Sequence, residues 1–528
     1  MADVHISITN ERAHHHLREL VDAGFDGALV LEPYARLLRK LGLTLELHDE
    51  ALSATGRDLL SSTSGQRMSY NKPYVWGIAS IAALGGLLFG YDWVVIGGAR
   101  PFYEAYFDLT SPQLIGWANS CALVGCLLGS IVCSALSDRL GLRNLLLLSA
   151  FLFAVSSICT GLAYGFSTFV TWRIIGGIAI GIASNVSPTY IAEISPAPWR
   201  GRLVALNQLT IVVGILAAQI VNWLIAEPVP GMATIETLRH SWNGQWGWRW
   251  MFMAVAIPSI VFLASAFFVP ESPRWLAKRG LNAAAHRILA HIGGEDYATQ
   301  GLREIQATVS VEGQSPGWAG FRMPGVPGVL VTGICLAVLQ QWSGINILFN
   351  YAEELYRKAG YGISGALFNI MITGTVNLVC TVAALGCVDR FGRRTLLSWG
   401  CAGIALAHAL LGVAYATGHG GIFVLTLTLS AIACYAMSLA PVTWVLISEI
   451  FPNRIRGPAV SIAVSALWTA CFLLTFTFPM LSQRLETAGT FWLYSAICLA
   501  GLLFILQRVP ETKGKTLEQI EHEIARTA

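Results

Sequence analysis

Twelve apolar stretches, each about long enough to cross a bilayer, follow one another after residue 72 of this sequence. A hydrocarbon core of about 30 Å asks for roughly 20 such residues in a helix. Lipid offers a backbone no hydrogen-bond partner, so the helix is the form open to stretches of this kind. The spans read as 74–98, 114–136, 144–163, 167–188, 202–225, 249–269, 327–350, 364–388, 395–416, 421–447, 458–481 and 489–508. Charge agrees with this reading: 12% of residues are Asp, Glu, Lys or Arg, where soluble domains carry about 25%. That is too little to wet a soluble globule of 528 residues. A net charge of +3, with no basic cluster interleaved with aromatics, argues against nucleic-acid binding. Eleven Cys, among them Cys121, Cys126, Cys335, Cys380 and Cys434, sit in apolar runs without zinc-type spacing. They read as buried, inert thiols. No nucleophile triad, phosphate loop or metal-ligand set is visible, so the expectation is no enzyme, no cofactor and no metal.

The short loops set an orientation. Arg139 and Arg143, Arg200 and Arg202, Arg390, Arg393 and Arg394, and Arg454 and Arg456 all fall on one side, which the positive-inside rule makes cytoplasmic, with both termini. A segment at 271–322, with spaced apolar residues and Arg274, Lys278, Arg279, Arg287 and Arg303, reads as a cytoplasmic linker of short amphipathic helices. It divides the chain into bundles at 73–270 and 323–509, with a cytoplasmic extension at 1–72 and a tail at 510–528. In the extension, 11–23 and 33–41 read as short helices stopped by Gly24 and Gly42, and 61–66 as a polar linker. His14–His16 reads as a solvated helix face, with metal binding as the sharper alternative.

The halves repeat. Ser137–Arg143 (SDRLGLR) returns as Val388–Arg394 (VDRFGRR), and Glu193-Ile194 with Pro196 and Arg200-Gly201 returns as Glu449-Ile450 with Pro452 and Arg456-Gly457. Pro270-Glu271 returns as Pro510-Glu511, and Gly90-Tyr91-Asp92 as Gly344-Ile345-Asn346. All four matches are ordered and lie about 240 to 256 residues apart. The fold expected is an all-α membrane protein of twelve transmembrane helices in two pseudo-symmetric six-helix bundles. Such halves hold a substrate between them near the midplane and work by rocking.

The motifs resemble the sugar porter family of the major facilitator superfamily. They are FGYD at Phe89–Asp92, SDRLG at Ser137–Gly141, WRIIGG at Trp172–Gly177, YIAEISP at Tyr190–Pro196 and PESPRWL at Pro270–Leu276. The second half adds QQWSGIN at Gln340–Asn346, VDRFGRR at Val388–Arg394, PVTWVLISEIFP at Pro441–Pro452 and PETKGKTLEQIE at Pro510–Glu521. The resemblance covers 74–521 and is greatest to bacterial sugar–proton symporters and related glucose facilitators. It implies the major facilitator fold, a monosaccharide substrate (hexose or pentose), and protons and the lipid bilayer as further partners in an inner or plasma membrane.

Asp92 and Arg173 read as the one charged pair deep in the first bundle, each about 10 Å below the outer surface at about 1.5 Å per residue. Beside Arg173 the Asp92 carboxylate is favoured; parted from it in apolar surroundings, the protonated form is favoured. That difference is a basis for proton coupling, and a static ion pair is the bland alternative. The resemblance matches Asp92 to the proton-linked carboxylate of the symporters. Val255 stands where some proton-linked members carry a Glu. Gly177 and Gly181 continue the face of Arg173 and invite a second helix close.

A sugar needs amides for its hydroxyls and flat rings for its apolar faces. Gln208, Gln340, Gln341, Asn346 and Asn377 are neutral amides in apolar spans, and Trp444 and Trp468 supply rings. Each has a structural alternative as helix glue or filler; the resemblance assigns the set to the sugar site. Asn350 replaces the first of two family tyrosines, Ala440 a Gly, and Leu467 a polar residue.

On the cytoplasmic side, Asp138, Arg139, Arg143, Glu193, Arg200, Glu271 and Arg274 are repeated as Asp389, Arg390, Arg393, Arg394, Glu449, Arg456 and Glu511. Positive-inside anchoring accounts for the arginines; the repeated acids point to a gate network whose contacts differ between two states. Leu142 and Ser134 depart from the family's Arg and Gly. The leading function is proton–sugar symport by alternating access. A facilitative uniporter and a transporter-like sugar sensor acting through 1–72 are the alternatives.

Overall fold

The computed structural model describes residues 70–230, 234–312, 321, 326–451, 455–511 and 513, without the side chains of 310–312, 388, 389, 448 and 456. The helices expected at 11–23 and 33–41, His14–His16, and most of the 510–528 tail lie outside the described residues. Twelve helices among those described are long and apolar enough to cross a membrane. The first six are Lys72–Tyr106, Pro112–Leu140, Leu142–Gly161, Phe166–Ile194, Arg200–Ile225 and Asn243–Ala266. The second six are Val326–Asn350, Ile363–Cys387, Arg393–Ala416, Ile422–Ile447, Gly457–Arg484 and Glu486–Arg508. Exposed Phe151, Leu224, Ile257, Phe268 and Trp399 form the kind of apolar outer surface that lipid, not water, covers.

All twelve expected spans are found. The largest difference is in the first, which was expected to end at residue 98 and instead runs through Pro101 to Tyr106. Arg100 and Glu104 look like the end of an apolar run, but they pair with each other one turn apart, Nε to Oε1 at 2.6 Å. The linker is helical as expected, with Pro273–Lys278 followed by Asn282–Glu312, broken at Gly294. The Ser272 hydroxyl caps its first helix by accepting from the Trp275 N–H at 3.2 Å.

Glycine sets how closely the spans approach. A methyl group built on Gly177 would lie 1.9 Å from the Ala122 carbonyl oxygen, and one on Gly125 would lie 2.0 Å from that of Ile174. Gly129 and Gly181 repeat the contact one turn on, so the second and fourth spans meet backbone to backbone. Gly90 and Gly214 do the same for the first and fifth, against the carbonyls of Ile211 and Leu87. Dispersion and backbone proximity replace the hydrophobic effect as the force between helices in lipid, which is why small residues line these seams. The halves touch along the second and eleventh spans, where Gly116 abuts the Phe476 carbonyl, and along the fifth and eighth, where Gly374 abuts Gln219.

The repeat is visible in atomic detail where the second span turns into the third and the eighth into the ninth. Gly141 and Gly392 make these turns at φ +86° and +89°, a region open to glycine. Beside each turn sits one carboxylate. Glu271 Oε1 accepts from the backbone N–H groups of Leu142, Arg143 and Ser272 at 3.0, 3.1 and 2.8 Å. Glu511 accepts from Arg393, Arg394 and Lys513 at 2.9, 3.1 and 3.0 Å. A methyl group on either glycine would strike its carboxylate, at 2.2 and 2.6 Å. A negative group at a helix start satisfies free N–H groups and complements the helix dipole.

The seventh span is broken. Val326–Trp342 ends, Gly344 turns through φ +83°, and Ile345–Asn350 resumes in a new direction, followed by Ala352–Lys358. The carbonyl of Ser343 at this break accepts from Nε2 of His408, a fully buried side chain of the ninth span, at 2.8 Å.

Two outcomes test this packing. Gly177→Val is expected to lower the thermal midpoint of the detergent-solubilised protein by the equivalent of about 1 to 3 kcal/mol or more. Gly77→Val, where nothing lies within 4 Å of a built methyl group, should leave it within about 0.5 kcal/mol. Equal midpoints would remove the backbone seam as a determinant. Glu511→Gln keeps the shape but removes the charge at the ninth span's start, and should cost about 1 kcal/mol by the same measurement.

Candidate functional site

Asp92 and Arg173 meet as expected, although the first span is longer than the arithmetic assumed. They are 4% and 3% exposed. Arg173 Nη1 donates to Asp92 Oδ1 at 2.8 Å and Nη2 to the Asp92 carbonyl oxygen at 3.4 Å. The guanidinium lies 5.2 Å from the Phe252 ring centre of the sixth span. Asp92 Oδ2 and Arg173 Nε are buried without a partner among the described residues. The pair is therefore bonded through a single carboxylate oxygen. Gly176 makes room for the other, since a methyl group there would lie 3.3 Å from Oδ2 and 3.1 Å from the Ser156 hydroxyl.

This pair is not alone in the first half. Arg100 and Arg249 are also buried, which corrects the expectation of one deep charged pair. Arg249 spends its donors on the carbonyls of Gln245, Gly161 and Ala163, closing the end of the third span. Arg100 pairs with Glu104 on its own helix and with Glu354 from the other half, at 2.8 Å. A partner that far away in the chain gives no local signal.

The amides of the seventh span gather around its break. Gln340 Nε2 donates to the carbonyls of Leu439 and Ala440 at 3.2 and 3.4 Å, next to the break in the tenth span at Ser438. Gln341 Nε2 donates to Gln340 Oε1 at 3.2 Å, and Asn346 Nδ2 donates to Gln341 Oε1 and lies 3.3 Å from Cys471 Sγ. Three of the expected residues thus form one hydrogen-bonded chain. Trp468, one turn before Cys471, is buried with its indole N–H unpartnered, and its ring is 5.8 Å from that of Phe89. Phe89 precedes Asp92 by one turn on the first span, so the ring site and the ion pair share a helix.

Gln208 and Trp444 are half-buried and Asn377 is buried. None of the three is hydrogen-bonded into that chain among the described residues. Sequence reading missed Gln219, whose Oε1 and Nε2 are both buried and unpartnered against Gly374 of the eighth span. It also missed Asn369, Thr373 and Thr381, which with Asn377 line one buried face of the eighth span at four-residue spacing. That spacing was the available signal.

The repeated charges sit at the opposite end from Arg100. Asp138 pairs with Lys278 of the linker at 2.8 Å, and Glu449 pairs with Arg393 at 3.3 Å. Glu193 accepts from the Ser272 hydroxyl, near half-buried Arg274. Arg143 and Arg394 donate to the carbonyls of Phe267 and Leu506, the former at 2.7 Å. Glu271 and Glu511 hold backbone amides where arginine partners were expected, because the glycine turns aim free N–H groups at them. Arg139, Arg200 and Arg390 are exposed, and the side chains of Asp389 and Arg456 lie outside the described residues.

The family model described as "Sugar (and other) transporter" matches residues 78–524. The chain is 40% identical to the D-xylose-proton symporter of Escherichia coli over 485 residues, covering 86% of this chain and 96% of that protein. It is 38% identical to the glucose transport protein of Synechocystis, covering 87% and 99%, and 37% identical to the arabinose-proton symporter of Bacillus subtilis, covering 86% and 96%. Among solved structures, the inward-open xylose transporter XylE from E. coli aligns with a TM-score of 0.75 at 38% identity, covering 85% and 100%. The proton:xylose symporter XylE, of the major facilitator superfamily, bound to 6-bromo-6-deoxy-D-glucose gives 0.73 at 38% identity, covering 86% and 100%. This chain belongs to the family of sugar transporters with the major facilitator fold.

Proposed function

We propose that this sugar transporter carries a pentose or hexose across the inner or plasma membrane by alternating access, coupled to a proton at Asp92 and Arg173. The observation that carries the coupling is the buried pair itself, bonded through one carboxylate oxygen while the other has no partner among the described residues. An ion pair kept for stability alone would be expected to satisfy both oxygens, because an unmet buried acceptor is costly. Protonation of Asp92 weakens its hold on Arg173 and frees the first span to shift against the fourth. Phe89 on that helix touches Trp468, so the shift reaches the ring that faces the sugar.

The sugar's hydroxyls meet Gln340, Gln341 and Asn346, with Gln208 and Asn377 completing the site and Trp444 and Trp468 covering its apolar faces. Xylose, arabinose and glucose relatives support a monosaccharide of that size. The bundles at 73–270 and 323–509 are the rocking bodies, and 271–322 is their linker. The arginine-rich end is cytoplasmic, as are 1–72 and 510–528. Asp138, Glu193 and Glu449, with the arginines around them, bias the inner gate.

Asp92→Asn is expected to abolish uphill sugar accumulation in proteoliposomes while leaving sugar exchange measurable, because the amide keeps the shape but cannot cycle a proton. Accumulation that persists in this variant, or sugar transport by the native chain with no proton uptake, would make the chain a uniporter. Gln341→Ala should weaken sugar binding by about 1 to 3 kcal/mol, the cost of leaving buried hydroxyls unmet. Titration calorimetry on the purified protein reads that loss, and unchanged affinity would move the sugar away from the seventh-span break.

A further inference from the structure

At the end of the bundle opposite the repeated charges, three carboxylates surround one buried arginine. Arg100 of the first span donates to Glu104 at 2.6 Å and to Glu354 at 2.8 Å, and lies 4.6 Å from the Tyr351 ring centre. Glu354 belongs to the helix Ala352–Lys358, just past the seventh span, so this ion pair joins the two halves. The backbones also touch here: a methyl group on Gly97 would lie 2.6 Å from the Phe349 carbonyl oxygen. Lys358 adds a second cation to Glu354 at 2.7 Å, and binds Ser482 and Thr487.

The third carboxylate, Glu353, is 3% exposed. Among the described residues its Oε1 has no hydrogen-bond partner, and its nearest cation, Arg357, is 3.6 Å away and half in solvent. Arg100 and Glu104 face it from the first span, Glu354 and Arg357 from its own helix. The adjoining stretch of the eighth span, 363–379, brings no ionisable side chain. Tyr103, with its hydroxyl buried, stands beside Arg100 and Glu104. One buried arginine already shared by two carboxylates cannot neutralise a third.

Resting on the alternating-access reading above, we propose that this cluster latches the outer gate, with Arg100–Glu354 as its cross-half bond, and that Glu353 is a second proton-binding site, loaded as the gate closes. Closure removes Glu353 from water and leaves it only half-exposed Arg357 at 3.6 Å and a share of Arg100, so it closes as the neutral acid. Opening wets it, and the proton leaves to the outside.

The direction of the pH effect follows. Burial pushes the Glu353 carboxyl up to about 7, more than the Arg100 and Arg357 charges pull it down. Burial also pushes Glu354 up, but Arg100 and then Lys358 outweigh it and hold Glu354 low, at about 2, so it stays charged and latched. A group whose affinity for protons rises on closure favours the closed state in acid. The advantage is full below the ordinary carboxylate range and is lost as outside pH rises through about 7.

The test is the distance between spin labels at Glu236→Cys and Ile422→Cys, exposed positions of the two halves at this end. It is read in the full chain in lipid nanodiscs, with the unsubstituted chain as the blank. An Asp92→Asn background removes the first proton site. The ratio of closed to open outer ends should rise about tenfold between pH 8 and pH 5.5. Glu353→Gln should abolish that dependence and stay closed at both pH values, whereas Glu354→Gln should open the gate at both. A native chain with no pH response at this distance overturns the proposal without any latch variant. So does a response lost with Asp92→Asn alone, or one retained in Glu353→Gln. Uphill accumulation, measured separately, reports on the symport reading, so the two can fail independently.

Discussion

A bilayer offers polar groups nothing to bond with, so each polar side chain inside these helices must find its partner within the protein. The buried charges illustrate three solutions. Arg249 turns Nε and Nη1 toward backbone carbonyls and closes a helix end. Arg100 recruits carboxylates from both halves. Arg173 takes one oxygen of Asp92 and leaves the other unmet. Arg100 and Arg173 each keep one buried nitrogen without a partner among the described residues, but only in the third arrangement is an oxygen of the partner carboxylate also unmet, and that is where we place the coupling proton.

Duplication supplied both halves with the same frame, and the frame persists where geometry demands it. Gly141 and Gly392 turn the chain the same way over Glu271 and Glu511, which hold the same backbone groups. What diverged is the chemistry hung on that frame. Asp92 in the first half corresponds in the repeat to Asn346 in the second: a charge facing an arginine in one, an amide linked to Gln341 in the other. In the function proposed above, one half answers to protons and the other to hydroxyls on the same frame.

Much of this was legible in the sequence because it depends on local composition. Span number follows from apolar length, the two halves follow from ordered repeats, and the Asp92–Arg173 contact follows from opposite charges inside two apolar spans. The Gly177 and Gly181 seam was readable from spacing alone. The rest depends on distance in three dimensions. Arg100 reads as a span end because its partner Glu354 belongs to the other half. Glu271 and Glu511 read as gate acids because a sequence does not display free backbone N–H groups. Gln219 and His408 lie in apolar stretches of the fifth and ninth spans, and nothing beside them in the chain announces what they touch.

The break at Gly344 divides the seventh span into two parts with different anchors. His408 grips the Ser343 carbonyl on the near side, and Gln340 ties that side to the tenth span. Beyond the break, Ile345–Asn350 and Ala352–Lys358 form an arm that carries Glu354 roughly 15 Å from the pivot, at about 1.5 Å per residue. An arm of that length, turned by about 10° at the pivot, carries its tip about 2.6 Å, nearly the whole length of the bond to Arg100. A small change of backbone angle beside the amides would thereby be geared up into the making or breaking of that ion pair.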